Sequence, residues 1–194
     1  SFDLTSNGLM KSLIAPAFWG RHRRRSKDFT RQCVLTFPVL MLLLLQKSLK
    51  SLQAHAQEFF WQLSRGVAAP SLSAGAVTHA RAKLCPSAFV ELNQAVLHTV
   101  YGSAHAGLVQ RWRGHRLLGV DSSLVRLPSH VAVGQQFGWV QCANHRGLQE
   151  RYPQGRVSVF FDVLNEVALE ARLAASTVAE TELAHRHLTC VQPG

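Results

Sequence analysis

The chain has 194 residues, enough for one domain of ordinary size or two small ones, and 47% of them are hydrophobic, which excludes wholesale disorder. Lysine and arginine number 21 against 11 aspartates and glutamates, so the formal net charge is +10. A basic excess of this size favours a polyanionic partner, either nucleic acid or an anionic membrane surface. The alternative is a protein that is basic without such a partner.

The cysteines and the longest apolar run limit which classes of protein the chain can belong to. The four cysteines include no Cys-x-x-Cys pair, which argues against a zinc ribbon and favours free thiols in a reducing compartment. His185 and His187 form only a lone His-x-His pattern, which is weak support for a metal. The run 39–45 is far shorter than the ~20 apolar residues that a membrane-spanning helix needs, so we predict a buried helix and no membrane partner.

Helical signals dominate the first half of the chain. Apolar residues recur at helical spacing, and a loop is predicted at 66–75 from its Gly, Pro and Ser content. Either Ser71 or Ser73 is suited to cap the helix that follows this loop, and Gly102 ends the last one. The predicted helices, in chain order, span 9–18, 37–49, 52–63, 76–84 and the residues from Pro86 to Gly102.

After Gly107 the pattern changes to strands. We predict strands at 115–127 and 156–164, separated by a long loop at 129–155. A turn at Asn165 and Glu166 leads into a third strand at 167–174, although those letters also fit a helix, and a helix follows at 179–188. The order predicts an α+β protein with a helical DNA-binding or accessory domain at 1–104 and a second domain at 105–194.

Asp121 is the residue on which the functional interpretation depends. The apolar run 117–120 ends on this carboxylate, at the end of a strand that looks central. Ligand sites gather outside strand ends in open sheets, and Mg²⁺ is usually held by one or two carboxylates together with substrate phosphates. The alternative is that Asp121 caps a turn through Ser122 and Ser123.

Three basic segments are candidate DNA contacts. Cationic blocks neutralise phosphates and contribute affinity that falls with salt, whereas the alternatives are a solvated linker for the first segment and ordinary helix packing for the second. In the third segment, Trp112 is suited either to a DNA contact or to sealing the core. The candidate DNA-binding residues are Arg21, Arg23, Arg24, Arg25 and Lys27, then Arg81 and Lys83, then Arg111 and Arg113.

Five segments, taken together and in order, resemble bacterial insertion-sequence transposases of the DDE type. More narrowly, they are similar to the amino-terminal portion of the insertion sequence four family. The likeness includes a basic-aromatic lead, an apolar strand and an aspartate followed by small residues, in "RWRGHRLLGVDSSLVRLP". The segments are 27–63, 78–93, 111–128, 160–173 and 180–188.

The resemblance implies a ribonuclease-H-like catalytic core in which three acidic residues bind two divalent metals, Mg²⁺ or Mn²⁺. Such enzymes cut double-stranded DNA at transposon ends and join the freed 3′-hydroxyl to target DNA. Asp121 matches the first acidic residue and metal ligand. The second acid, in an Asp-Arg-Gly-Tyr-like segment after the fourth strand, and the third, a distant glutamate, are expected beyond Gly194.

We therefore expect an incomplete core, and a polypeptide that does not cut DNA by itself. The resemblance also implies a bacterial cytoplasmic protein associated with the nucleoid, and it leaves open a homodimer on DNA. One alternative is a non-catalytic DNA-binding protein derived from a transposase. Another is a helical interaction protein whose apolar surface at 39–45 meets a partner.

Overall fold

The computed structural model describes residues 10–11, 13–31, 33–66, 70–143, 147 and 149–191. The chain divides into two compact units, Ser1–Thr99 (unit 1) and Val100–Gly194 (unit 2). The sequence placed this division after residue 104. The described residues combine helices with an antiparallel sheet, so the α+β class is confirmed.

The regular elements in the described part of unit 1 are helices. The helices are α1 (Pro16–His22), α2 (Phe37–Leu45), α3 (Leu52–Leu63), α4 (Ala74–Arg81) and α5 (Ser87–Tyr101), the last of which ends in unit 2. The helix predicted at 9–18 begins outside the described residues, but residues 10–11 and 13–14 are helical, and α1 follows after Ala15 and ends later than predicted. Pro16 explains the start of α1, because a proline without an N–H suits the first turn of a helix.

Serine caps set two of the other helix starts. The Ser51 side chain accepts a hydrogen bond from Ala54 N at 3.3 Å, and Ser73 accepts one from Ala76 N at 3.1 Å. Ser73 is therefore the cap of α4, which begins and ends earlier than the predicted 76–84. Helix α2 stops at Leu45 instead of residue 49, since Leu49 is 97% exposed and has no core to join.

The core of unit 1 forms around α2. Phe37 meets Phe18 edge-on at 5.8 Å between ring centroids and Phe29 at 5.3 Å. Leu40, Met41, Leu43 and Phe37 are all buried, which confirms the prediction that the apolar run is a buried helix. Within the described residues, no helix has both the length and the apolarity needed to cross a membrane.

Unit 2 is built on a four-stranded antiparallel sheet. A 3₁₀ helix (Ser103–Leu108) precedes β1 (Leu118–Arg126), and β3 (Gln149–Asp162) is the central strand. The remaining elements are α6 (Val131–Phe137), β2 (Trp139–Ala143), β4 (Val167–Ala175) and α7 (Glu180–Leu188).

Strand β3 is 14 residues long, and this length lets it pair with three other strands. Its second half lies between β1 and β4, with Asp121 opposite Val159 on one side and Ala171 opposite the same valine on the other. Its first half pairs with β2, which lies on the same edge as β4. The predicted strand at 167–174 is confirmed as β4, and the helix at 179–188 as α7.

The predicted loop at 129–155 is wrong, because this segment contains α6, β2 and the start of β3. Pro153, one of the residues that gave the loop signal, lies in β3, and so does Gly155, the last residue of the predicted loop. The Pro153 carbonyl accepts from Leu127 N at 2.9 Å, just past the end of β1, where the missing proline N–H costs little. A Cβ on Gly155 would lie 2.9 Å from Leu173 Cδ1, so this glycine marks close packing.

Two helical glycines give a test of the packing. A Cβ on Gly134 in α6 would lie 1.9 Å from Trp139 Cε2, whereas one on Gly20 in α1 would meet nothing within 4 Å. We expect Gly134→Ala to lower the free energy of unfolding by about 2 kcal/mol through overpacking. Gly20→Ala should raise it by about 0.5 kcal/mol through helix propensity. Urea unfolding of both variants checks this, and a neutral Gly134→Ala would contradict the placement of Trp139.

Candidate functional site

Backbone hydrogen bonds in unit 1 join two basic segments that are far apart in the sequence. Arg24 N donates to Lys83 O at 2.9 Å, and Cys85 N donates to His22 O at 2.8 Å. Arg23 forms an antiparallel bridge with Leu84 between them. The segments that the sequence proposed separately therefore lie side by side.

The turn after Arg24 is also fixed by hydrogen bonds. Asp28 is buried, and its carboxylate accepts from Arg25 N at 3.0 Å while its own N–H donates to Arg25 O at 2.9 Å. Thr30 Oγ1 donates to Lys27 O at 2.8 Å. A segment bonded in this way to itself and to residues 83–85 is part of unit 1, and it is not a solvated linker.

We call the resulting cluster of cations the basic surface. Five of its members are exposed and Arg23 is half-buried, with its guanidinium 3.5 Å from Asp28 O. In α4, Val77 and Ala80 are buried, so this helix packs through one face and leaves the other to solvent. The basic surface comprises Arg23, Arg24, Arg25, Lys27, Arg81 and Lys83.

Arg21 differs from its neighbours because its charge is paired. Its guanidinium donates to both carboxylate oxygens of Glu91 on α5. The hydrogen bond from Arg21, and then the one from His22, lower the pKa of the Glu91 carboxyl below its usual value. His22 is buried and also lies 2.9 Å from Ser87 Oγ. This cluster fastens α1 to α5 and leaves Arg21 less available to a phosphate.

Asp121 lies within β1, on an exposed position of the sheet. Side chains alternate along a strand, and Ser122 faces α7, since its hydroxyl donates to Glu180 at 2.6 Å. Asp121 therefore lies on the opposite face, across from Val159. Among the described residues, no hydrogen bond or ion pair involves the Asp121 side chain, so it does not cap a turn through Ser122 or Ser123.

The described residues do not by themselves fit a two-metal site at Asp121. No group of three or more His, Cys, Asp or Glu residues in this part of the chain is arranged to hold a metal ion. On the face of Asp121 the neighbouring strand offers Val157, Val159 and Phe161, whereas Asp162 and Glu170 alternate to the other face. Further ligands would have to come from outside the described residues.

Asp162 ends β3 and is completely buried. Its carboxylate accepts hydrogen bonds from Tyr101 Oη at 2.7 Å, Arg116 Nε at 2.9 Å and Asn165 Nδ2 at 2.9 Å. Burial acts to raise the pKa of Asp162, but these three donors together outweigh it and hold the pKa below its usual value. Burial, followed by the bond to Asp162, raises the pKa of Tyr101 to about 12.

A second buried network has the connectivity of a serine-histidine-carboxylate triad. Ser158 Oγ lies 3.0 Å from His187 Nε2, and His187 Nδ1 lies 2.7 Å from Glu170 Oε2. A nucleophile must reach its substrate, and both Ser158 and His187 are 0% exposed. The network therefore fastens α7 to the sheet. The sequence carried no signal for it, because the three residues come from separate elements.

Arg111 and Arg113 lie in a tight turn before β1. The Arg111 guanidinium donates to Gly114 O at 3.2 Å, and the Arg113 guanidinium carbon lies 4.9 Å from the centroid of the Trp112 ring. Trp112 is 58% exposed, so the alternative that it seals the core is wrong. These two arginines belong to unit 2, whereas the basic surface belongs to unit 1.

Comparisons of the chain with protein-family models, curated proteins and solved structures found no match. The functional argument therefore starts from the basic surface of unit 1, the exposed Asp121 and the turn around Trp112.

The Asp162 network gives a test of stability against pH. A carboxyl whose pKa is lower in the folded state contributes stability above its unfolded pKa, about 3.9, and loses it as the pH falls through the folded pKa. We expect Asp162→Ala to cost about 3 kcal/mol at pH 7, because it leaves Arg116 without its buried partner.

Urea unfolding measures this cost, and the gap from wild type should shrink when the pH is lowered below 4. Glu182→Gln, which removes an exposed ion pair with Arg186, is the control and should change little. A cost for Asp162→Ala that is the same at every pH would show that packing, and not the charge, is responsible.

Proposed function

We propose that the chain binds double-stranded DNA through the basic surface of unit 1. The observation that carries this proposal is the backbone bond that sets Arg24 beside Lys83. It merges two cationic segments into one patch, and a patch of this kind is what a phosphate backbone requires.

The charges of this surface are free to meet an external anion. Within the described residues, no carboxylate forms an ion pair with its five exposed members. Binding of this type is largely independent of sequence, because phosphates carry no base information. Thr78 and His79 are exposed on α4, the helix that carries Arg81. Their side chains are therefore available for contacts with DNA bases.

We further propose that unit 2 is part of a ribonuclease-H-like core, and the chain the amino-terminal portion of a DDE-type transposase of the bacterial cytoplasm. Three features support this. Asp121 is exposed on the first strand of the antiparallel set β1–β3–β4. The outer edge of β1 has no partner strand among the described residues. Finally, among the described residues of unit 2, Phe160 and Leu183 are the only buried hydrophobic ones. Much of the sheet surface is therefore left for further secondary-structure elements to cover.

A second candidate is a DNA-binding protein derived from a transposase that has lost catalysis. Among the described residues, no other carboxylate lies on the face of Asp121, which favours this candidate. The coding sequence after Gly194 separates the two, since a complete enzyme needs an Asp-Arg-Gly-Tyr-like segment and a distant glutamate. The helical interaction protein is disfavoured, because Leu40, Met41 and Leu43 are buried within unit 1.

Charge reversal tests the basic surface. We expect the pair Arg24→Glu and Lys83→Glu to weaken binding to a random-sequence duplex at least about tenfold at low salt. The slope of log affinity against log salt should become shallower by about 0.9 for each phosphate contact that is lost. Fluorescence anisotropy of a labelled duplex over a salt series measures both quantities.

The control pair, Lys47→Glu and Arg65→Glu, makes the same change in net charge at exposed positions elsewhere in unit 1. It should weaken binding much less. An equal loss in the two pairs would assign the binding to net charge alone, and a wild-type chain that binds no duplex would refute the proposal.

We expect no cleavage of DNA by this chain alone. One carboxylate does not hold two divalent ions, so supercoiled plasmid incubated with Mg²⁺ or Mn²⁺ should stay intact. Agarose gels report the nicked form directly. Robust nicking that disappears in Asp121→Ala would overturn this expectation and show that further ligands are present.

A further inference from the structure

The turn before β1 is a short hairpin that we call the tip, residues 111–116, "RWRGHR". Trp112 N donates to His115 O at 2.8 Å, and His115 N donates to Trp112 O at 3.0 Å. Arg113 and Gly114 between them have φ of +50° and +84°. Two consecutive left-handed residues are the mark of a type I′ turn, which closes the tightest kind of hairpin.

Both legs of the tip are held by the turn between β3 and β4. On one side, Gln110 N donates to Asn165 Oδ1 at 2.8 Å and Asn165 Nδ2 donates back to Gln110 O at 3.1 Å. On the other, Val163 N donates to Leu117 O at 2.9 Å, and Arg116 reaches the buried Asp162. The two residues that flank the tip, Gln110 and Leu117, are therefore held by hydrogen bonds, so the position of the tip relative to the sheet is fixed.

The end of the tip exposes an aromatic ring among cations. Trp112 is 58% exposed, and its neighbours Arg111, Arg113 and His115 are exposed too. The Arg113 guanidinium lies over the indole ring. A tryptophan with this exposure does not contribute to the core of unit 2. A ring flanked by arginines offers a face on which a base can stack, together with cations that can contact phosphates.

We propose that the tip binds unpaired nucleotides of DNA, with the Trp112 ring stacked on a base and Arg111 and Arg113 on the adjoining phosphates. This inference rests on the proposed DNA binding and gives unit 2 its own ligand. A single strand fits better than a duplex, because in a duplex both faces of each base are already stacked. The single large apolar side chain at positions 111–116 disfavours insertion into a membrane, which takes a broader apolar face.

The experiment compares an oligo-dT strand of about twelve nucleotides, within the span of known single-strand sites, with a duplex of equal length. We expect Trp112→Ala to weaken dT binding about tenfold and Trp112→Phe by less than about threefold, since phenylalanine keeps a stacking face. Duplex binding should be unchanged. Trp61→Ala is the matched control, because Trp61 is 59% exposed but lies in unit 1.

Tryptophan fluorescence gives a second readout. Stacking of Trp112 on thymine should quench part of the emission of the wild-type chain when dT is added, and that part should be missing in Trp112→Phe. Because Trp112 is exposed, its two variants should leave the unfolding temperature unchanged, and thermal melts verify that every variant is folded.

Each other outcome overturns the inference. Unchanged dT affinity in Trp112→Ala would show that Trp112 is not a stacking site. An equal loss of affinity for dT and duplex would show that the tip contacts only the DNA backbone. Binding to phosphatidylserine-phosphatidylcholine vesicles that needs Trp112, without dT binding, assigns the tip to membranes. If Trp112→Ala is neutral while Arg24→Glu with Lys83→Glu still weakens duplex binding, only the tip fails and the proposed function stands.

Discussion

A carboxylate that is removed from water must be compensated by donors inside the protein, and in unit 2 that carboxylate is Asp162. Its partners come from three places in the chain: the end of α5, the approach to β1 and the turn after β3. Arg116 also lies with its guanidinium carbon 4.0 Å from the centroid of the Tyr101 ring. One buried charge thus fixes where the tip begins and joins it to Tyr101 and to the turn after β3.

The other polar interactions of unit 2 follow the same logic on the covered face of the sheet. Burial acts to raise the pKa of Glu170, but hydrogen bonds from Arg172 and His187 outweigh it, so the pKa is lowered. His187 stacks on Phe160 at 5.7 Å while it bridges Ser158 and Glu170. Since the described part of unit 2 buries few large apolar side chains, these polar contacts hold α7 in place. All of them lie on the face away from Asp121, so that carboxylate has no polar partner in the part of the chain that the structure describes.

Unit 1 makes the opposite use of its charges. Its core is apolar and continuous, and it pairs Arg21 with Glu91 next to the buried His22, where a charge is needed to join two helices. The cations of the basic surface are instead positioned through their main chain, by backbone hydrogen bonds and by the Asp28 carboxylate, which accepts from Arg25 N. Because this arrangement does not neutralise the charges of the side chains, those charges stay available for phosphates.

The sequence by itself determined the helical first half and the buried α2, and it favoured the β-hairpin around Asn165, because apolar periodicity and turn residues are local properties. It also identified Asp121 and the basic segments as candidates. Only the tertiary structure decided that Pro153 and Gly155 belong to a strand, since their reasons, a strand end and a close side-chain approach, lie in other elements. Likewise, the meeting of Arg24 with Lys83, the exposure of Trp112 and the isolation of Asp121 are non-local. They depend on which segments the fold places side by side, and no window of sequence contains that information.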